Sequence, residues 1–119
     1  MKDKLGEEGE EIAARYLSGK GYKIIERNWR YKHKEIDIIA RDKDELIFVE
    51  VKTRSGNYYE EPWQSVTRQK QRFLIAAANA YILKFDIDIE SRFDVLSVTF
   101  SGKQHKVEHI DYAFYPSVR

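Results

Sequence analysis

The chain has 119 residues, of which 42% are hydrophobic and 34% are charged, with a net charge of +1 and no cysteine. This balance predicts one soluble globular domain over residues 1–119 and excludes a disordered chain. The lack of cysteine excludes disulfides, thiolate zinc sites and cysteine nucleophiles, and it is typical of a cytoplasmic protein. No apolar run approaches the roughly 20 residues of a membrane helix, and the polar start of the chain predicts no signal peptide.

The first predicted element is a helix over residues 3–19. Apolar residues recur there at three- and four-residue spacing, Asp3 is a suitable N-cap, and Gly19 marks the end. Two glutamates, Glu8 and Glu10, flank the apolar stripe. Periodicity does not choose which of them points toward the sheet, and either one suits an exposed surface equally well.

Three strands are predicted next, over residues 22–31, 35–40 and 46–53, and their short connections indicate an antiparallel meander. A basic cluster lies between the first helix and the second of these strands, beside acidic residues. A basic rim next to an acidic pocket suits an enzyme that acts on a phosphate backbone, although a solvated basic strand has the same composition. The cluster comprises Lys20, Lys23, Arg27, Arg30, Lys32, His33 and Lys34.

Charged residues interrupt the second and third strands, which are otherwise apolar enough to be central. Side chains alternate along a strand, so Glu35 and Asp37 are expected to share one face, as are Glu50 and Lys52. A buried lone charge is costly unless it is paired or binds a metal. Two carboxylates on neighbouring strands satisfy this condition by holding a divalent cation, with the lysine over the reacting group. A solvated strand face and a structural ion-pair network are the alternatives.

A second helix is predicted over residues 64–84, after a loop whose aromatics Tyr58, Tyr59 and Trp63 suit either base stacking or closure over a core edge or subunit contact. Lys70 interrupts the apolar stripe of this helix. It either reaches the carboxylate site as a phosphate ligand or extends its ammonium to solvent. The predicted nucleic-acid contacts are Arg27, Arg30, Lys32 and Lys70.

The last predicted strands cover residues 92–100 and 104–110. In the first of them, Asp94 lies two residues from Arg92, and we interpret this pair as structural. The order helix, three strands, helix, strand predicts a crossover that makes the strand of residues 92–100 parallel to that of residues 46–53. The expected architecture is a three-layer α/β fold with a mixed central sheet.

Several motifs occur together in one order: Gly9-Glu10-x-x-Ala13-x-x-Tyr16-Leu17, Gly21-Tyr22, Arg27-Asn28-Trp29-Arg30, Glu35-Ile36-Asp37, Phe48-Val49-Glu50-Val51-Lys52-x-Arg54, Lys70 and Arg92-Phe93-Asp94-Val95. This set resembles the YraN family of small bacterial proteins. That family is similar to archaeal Holliday junction resolvases and to the PD-(D/E)xK restriction-endonuclease-like superfamily. The resemblance covers nearly the whole chain, with a departure at Lys34, where glycine is frequent.

The resemblance implies a restriction-endonuclease-like fold, a single nuclease-like domain, and an endonuclease that hydrolyses phosphodiester bonds in DNA, including branched or junction DNA. It implies that Glu10 belongs to the site, that Asp37, Glu50 and the carbonyl of Val51 bind Mg²⁺ or Mn²⁺, and that Lys52 acts on the attacking water. By analogy with resolvases it also implies a homodimer. The alternative hypothesis is a non-catalytic nucleic-acid-binding or partner-binding module on the same fold.

Overall fold

The computed structural model describes residues 3–56 and 66–115. The strands form one five-stranded sheet in sequence order. Its third and fourth strands run parallel and the other neighbouring pairs antiparallel. The predicted mixed sheet and the parallel crossover are therefore confirmed. The elements are α1 (Lys4–Gly19), β1 (Lys23–Tyr31), β2 (Lys34–Asp42), β3 (Glu45–Ser55), α2 (Arg68–Lys84), β4 (Glu90–Ser101) and β5 (Gln104–Phe114).

Each face of the sheet carries its own apolar core. Leu17 of α1 packs in one core with Val49, and Leu74 of α2 packs in the other with Phe48. Phe48 and Val49 are consecutive on β3, so their side chains point to opposite faces. The two helices therefore cover opposite faces of the sheet, which gives the helix, sheet and helix layers that the sequence predicted.

Helix α1 begins as predicted and lies unusually close to β3. The Oδ1 atom of Asp3 accepts a hydrogen bond from the backbone N–H of Gly6 at 2.7 Å, which caps the first turn. Farther along, a Cβ atom added at Gly9 would lie 2.9 Å from Cγ2 of Thr53 on β3. Only a residue without a side chain fits there, and this close approach sets the position of Glu10, the next residue of the helix.

The start of α2 differs from the prediction, which placed it at residue 64. The helix begins at Arg68 because Thr67 is its N-cap, and the Thr67 hydroxyl accepts a hydrogen bond from the N–H of Lys70 at 3.1 Å. Val66 is buried but precedes the helix. In the parts of the chain that the structure describes, neither helix has both the length and the apolar character needed to cross a membrane.

Two further predictions concern the segments outside the central elements. The last strand was predicted over residues 104–110, but β5 continues to Phe114, whose ring stacks on Phe93 with centroids 4.9 Å apart. Tertiary packing thus extends the strand beyond its local pattern. The loop aromatics Tyr58, Tyr59 and Trp63 lie outside the described residues.

Candidate functional site

Strands β2 and β3 separate at the end of the sheet where the acidic residues lie. Their ladder ends with the pair Ile38 and Val49, so Asp37 and Glu50 are the next residues along the two strands. There the backbone N–H of Val51 donates a hydrogen bond to Oδ2 of Asp37 at 2.8 Å. A side-chain carboxylate thus accepts the bond that a backbone carbonyl of β2 would otherwise accept, and it fixes Asp37 against β3.

Strand β2 is irregular at Asp37. Ile36 packs in the core under α2 and Ile38 packs in the core under α1. Residues two apart on a regular strand face the same side, so strict alternation does not run through this point. Across from it on β1, between two ladder pairs, Asn28 has a φ of 55° in the left-handed region. The two distortions therefore lie opposite each other on neighbouring strands.

Helix α1 brings Glu10 to the same end of the sheet. Nδ2 of Asn28 donates a hydrogen bond to Oε1 of Glu10 at 2.9 Å, and Glu10 is buried. Of the two glutamates that periodicity left open, Glu8 is exposed. Through its hydrogen bond with Asn28, Glu10 is connected to the cleft that Asn28 and Asp37 both line.

Glu50 is a buried carboxylate with an incomplete set of partners. Its side chain is 4% exposed, and its Oε2 atom lies 3.2 Å from the ammonium of Lys70 on α2. Its Oε1 atom is buried and has no hydrogen-bond partner among the described residues. Buried carboxylates are normally fully hydrogen-bonded because the desolvated charge is costly, so an unmatched oxygen calls for an explanation.

A cleft of about 590 Å³ lies beside Asp37, and its described lining comes from α1, β1, β2, the turn before β2 and α2, without a residue of β3. Three cationic side chains, one histidine and three acids line it, so basic and acidic residues lie side by side in this part of the structure. The cleft opens to solvent, which leaves room for an extended polyanion. Its lining residues are Glu7, Asn28, Arg30, His33, Lys34, Glu35, Asp37 and Lys70.

The four predicted nucleic-acid contacts fall into two groups. Arg30 lines the cleft, with its Nη1 atom 3.7 Å from Oε2 of Glu35, and Lys70 lines it as well. Arg27 lies outside the cleft lining, where its Nη1 atom donates a hydrogen bond to Glu11 at 3.0 Å. The Lys32 ammonium lies 5.4 Å from the centre of the neighbouring tyrosine ring, also outside the lining.

Lys52 lies on β3 two residues beyond Glu50 and opposite Ser97 of β4 in the parallel ladder. Its side chain is partly buried, and it is not one of the residues that line the cleft. The lysine that the structure places against Glu50 is Lys70. The predicted neighbour was Lys52 on the same strand, whereas the contact that the structure shows is made across elements by Lys70 of α2.

The metal prediction can be compared with the donors at this end of the sheet. Within residues 3–56 and 66–115, no group of three or more His, Asp or Glu side chains is arranged to hold a metal ion. The predicted set consists of the carboxylates of Asp37 and Glu50 and the backbone carbonyl of Val51. It therefore differs from a group of three acidic or histidine side chains. All three members of the predicted set supply the hard oxygen donors that Mg²⁺ and Mn²⁺ take. The unmatched Oε1 of Glu50 fits a cation ligand.

Asn28 is the site residue that sequence reasoning did not single out. It bonds Glu10 and lines the cleft, and its left-handed backbone marks the irregular point of β1. An asparagine inside a run of strand-forming residues was the available signal, because Asn tolerates positive φ better than most residues.

A second polar cluster lies near the C-terminal end of α1. Asp94 is fully buried, and its carboxylate accepts hydrogen bonds from Nε of Arg92 at 3.0 Å and from the N–H of Tyr112 at 3.1 Å. Nε2 of His109 lies 2.7 Å from the same carboxylate. Burial acts to lower the pKa of Arg92, but the hydrogen bonds and charge of Asp94 outweigh it and raise that pKa above its ordinary value. This saturated network supports the structural interpretation of the pair.

The comparison with known proteins agrees with the motif set. The family described as "Uncharacterised protein family UPF0102" matches residues 9–98. The chain belongs to the UPF0102 family. The matched range contains every predicted catalytic residue of this UPF0102 protein, from Glu10 to Lys52, and also Lys70 on α2.

Other UPF0102 proteins are similar over nearly their whole length. A UPF0102 protein of Phocaeicola vulgatus is 44% identical over 98% of this chain and 96% of its own length. One of Geobacter metallireducens is 48% identical over 92% of this chain and 91% of its own. The UPF0102 protein BF0634 of Bacteroides fragilis is 46% identical over 94% of this chain and 93% of its own.

Proposed function

We propose that this protein is a metal-dependent endonuclease that hydrolyses phosphodiester bonds in DNA, including branched or junction DNA. Glu50 carries the proposal, because it is a buried carboxylate whose one oxygen faces Lys70 and whose other oxygen has no hydrogen-bond partner in the described residues. Groups with such uncompensated burial cluster at functional sites. The mixed sheet between two helices is compatible with the restriction-endonuclease-like arrangement that we propose for it.

Each acidic residue has a part in this proposal. Asp37, Glu50 and the carbonyl of Val51 would hold Mg²⁺ or Mn²⁺, and the ion would lower the pKa of a bound water and neutralise charge on the phosphate. The N–H of Val51 keeps Asp37 in place for that role. Glu10, oriented by Asn28, would accept a hydrogen bond from a ligating water.

The cationic residues have two parts. Lys52 would orient the attacking water or help to deprotonate it, and it would offset the negative charge that develops on the phosphoryl oxygens. Arg30, His33 and Lys34 line the cleft and would bind the DNA backbone, where contacts to phosphate supply most of the sequence-independent affinity. A homodimer would match the two-fold symmetry of a junction substrate.

The second candidate is a non-catalytic nucleic-acid-binding or partner-binding module on the same fold. One observation favours it: the buried carboxylate of Glu50 already has a cationic partner, the Lys70 ammonium at 3.2 Å. Such a module would use the cationic residues of the same cleft. It would bind DNA in a salt-dependent manner and leave the phosphodiester bonds intact.

A cleavage assay tests the two candidates directly. The parent protein is incubated with linear, nicked, flapped and four-way DNAs in the presence of Mg²⁺ or Mn²⁺, beside Asp37→Asn, Glu50→Gln and Lys52→Ala. The exposed Asp88→Asn variant is the matched control. We expect cleavage by the parent and the control and none by the three site variants. Salt-dependent DNA binding without cleavage under any condition would establish the binding module instead.

Thermal melting gives a second measurement that needs no substrate. A divalent ion at 100 times its Kd stabilises the folded state by about 2.7 kcal/mol. We expect Mn²⁺ to raise the Tm of the parent and of Lys52→Ala, and to leave that of Asp37→Asn and Glu50→Gln unchanged. An unchanged parent Tm would count against the metal site.

A further inference from the structure

Lys70 lies where a helix does not favour a cation. The helix begins at Arg68, so Lys70 is in the first turn, whose exposed N–H groups carry partial positive charge. No acidic residue occupies this turn to offset it. The ammonium nevertheless lies 3.2 Å from Oε2 of Glu50, so the attraction that fixes it comes from β3 across the helix–sheet interface.

The pairing is asymmetric in its burial. Glu50 is 4% exposed, whereas the Lys70 side chain is 35% exposed and also lines the cleft that contains Asp37. A lysine has a long flexible stem, so its ammonium can leave the carboxylate and enter the cleft without a change in the backbone. Glu50 has no such freedom, and its second oxygen has no partner among the described residues.

We propose that Lys70 is the resident counterion of Glu50 and exchanges with a divalent cation, after which its ammonium binds a DNA phosphate in the cleft. This inference rests on the proposed function, because it takes Glu50 to be a metal ligand. Lys70 thereby couples the two ligands: metal binding releases a cation for the phosphate, and phosphate binding removes a competitor from the metal site. Linkage requires this coupling to be reciprocal.

The proposal differs from two simpler roles for Lys70. A purely structural ion pair predicts that neutralising Lys70 lowers stability and leaves divalent affinity unchanged. A plain phosphate ligand predicts that DNA affinity falls by the same factor with and without the divalent ion. Exchange predicts instead that the loss of Lys70 strengthens metal binding. It also predicts that this loss weakens DNA binding, and that the weakening is seen mainly when the metal is present.

The experiment compares the parent with Lys70→Met and Lys70→Gln. Glutamine keeps a hydrogen-bond donor near Glu50 without its charge, so it provides a second variant if methionine impairs folding. Lys84→Met is the matched control, since Lys84 is an exposed cation at the other end of α2. Titration calorimetry with Mn²⁺ alone gives divalent affinity. Binding of a short DNA duplex, checked to be intact, is then measured with and without Ca²⁺, which takes the same oxygen ligands.

We expect both Lys70 variants to bind Mn²⁺ about two- to fivefold more tightly than the parent, the ratio for removing one competing, partly exposed ion pair. We expect Ca²⁺ to raise the DNA affinity of the parent and of Lys84→Met several-fold, and to have little effect on the Lys70 variants.

Unchanged or weaker Mn²⁺ affinity in the Lys70 variants would overturn the exchange, while Mn²⁺ binding by the parent would leave the proposed function standing. An equal Ca²⁺ effect on DNA affinity in parent and variants would also overturn the exchange. If neither parent nor variants bind Mn²⁺, the metal-dependent function fails and the exchange fails with it.

Discussion

Replacing Gly9 with alanine tests how α1 is held against the sheet. The added Cβ would lie 2.9 Å from Cγ2 and 3.1 Å from Cβ of Thr53, and it would also overlap the Thr53 hydroxyl. Gly9 belongs to α1 and Thr53 belongs to β3. To relieve the contact, either α1 has to move away from β3 or the Thr53 side chain has to leave its rotamer. Because Glu10 follows Gly9, the same movement would also lengthen its hydrogen bond to Asn28.

Two effects of opposite sign determine how much Gly9→Ala changes the unfolding free energy. Forcing an extra methyl into a well-packed contact costs about 1–3 kcal/mol. Alanine is the better helix former, and it returns about 1 kcal/mol relative to glycine. The net expectation for Gly9→Ala is a loss of about 0–2 kcal/mol of unfolding free energy, centred on about 1 kcal/mol, which would lower the Tm by about 4 °C at this chain length.

Gly19→Ala is the matched control, because a Cβ added there meets nothing within 4 Å. It keeps the gain in helix propensity without the clash, so we expect its unfolding free energy to rise by up to about 1 kcal/mol. Urea denaturation of both variants and of Gly9→Ala with Thr53→Ala measures the difference and the coupling. A Gly9→Ala protein as stable as Gly19→Ala, or no recovery in the double variant, would refute the close-approach argument.

Three other predictions concern the surrounding charges. Asp94→Asn removes the fully buried one of the two carboxylates that pair with Arg92 and leaves Glu45 at 2.6 Å, so it should cost about 1–3 kcal/mol in urea denaturation. Exposed Asp88→Asn should change stability by less than about 0.5 kcal/mol. The hydrogen bond and charge of Arg27 lower the pKa of Glu11 below its ordinary 4.5. The stability from this pair is therefore present above the unfolded-state pKa and lost as pH falls through the folded-state pKa, and an NMR titration of Arg27→Gln should show the Glu11 pKa returning upward. Arg30→Glu should weaken DNA binding and reduce its salt dependence more than Arg27→Glu, because of these two arginines only Arg30 lines the cleft; equal effects in filter binding would place the DNA elsewhere.

Local pattern was enough to predict the elements of this fold. The apolar stripe and Asp3 cap of α1, the three-strand meander and the parallel crossover all occur as the sequence indicated. These features depend on the periodicity of neighbouring residues and on short connections, which are properties of the sequence itself. The predicted start of α2 was wrong because the helix begins only after its N-cap, Thr67, whose hydroxyl accepts a hydrogen bond from the N–H of Lys70.

The sequence also determined which residue types are available for chemistry: Glu10, Asp37 and Glu50, with lysines nearby. Only the tertiary structure decided how they meet. It placed Asp37 against the N–H of Val51 beside a strand irregularity, buried Glu10, which periodicity alone did not separate from Glu8, and paired Glu50 with Lys70, twenty residues away. The physical reason is that strand alternation orders side chains only along one regular element. Partners across elements are chosen by helix placement, and here α1 is held against β3 at Gly9, where no side chain intervenes.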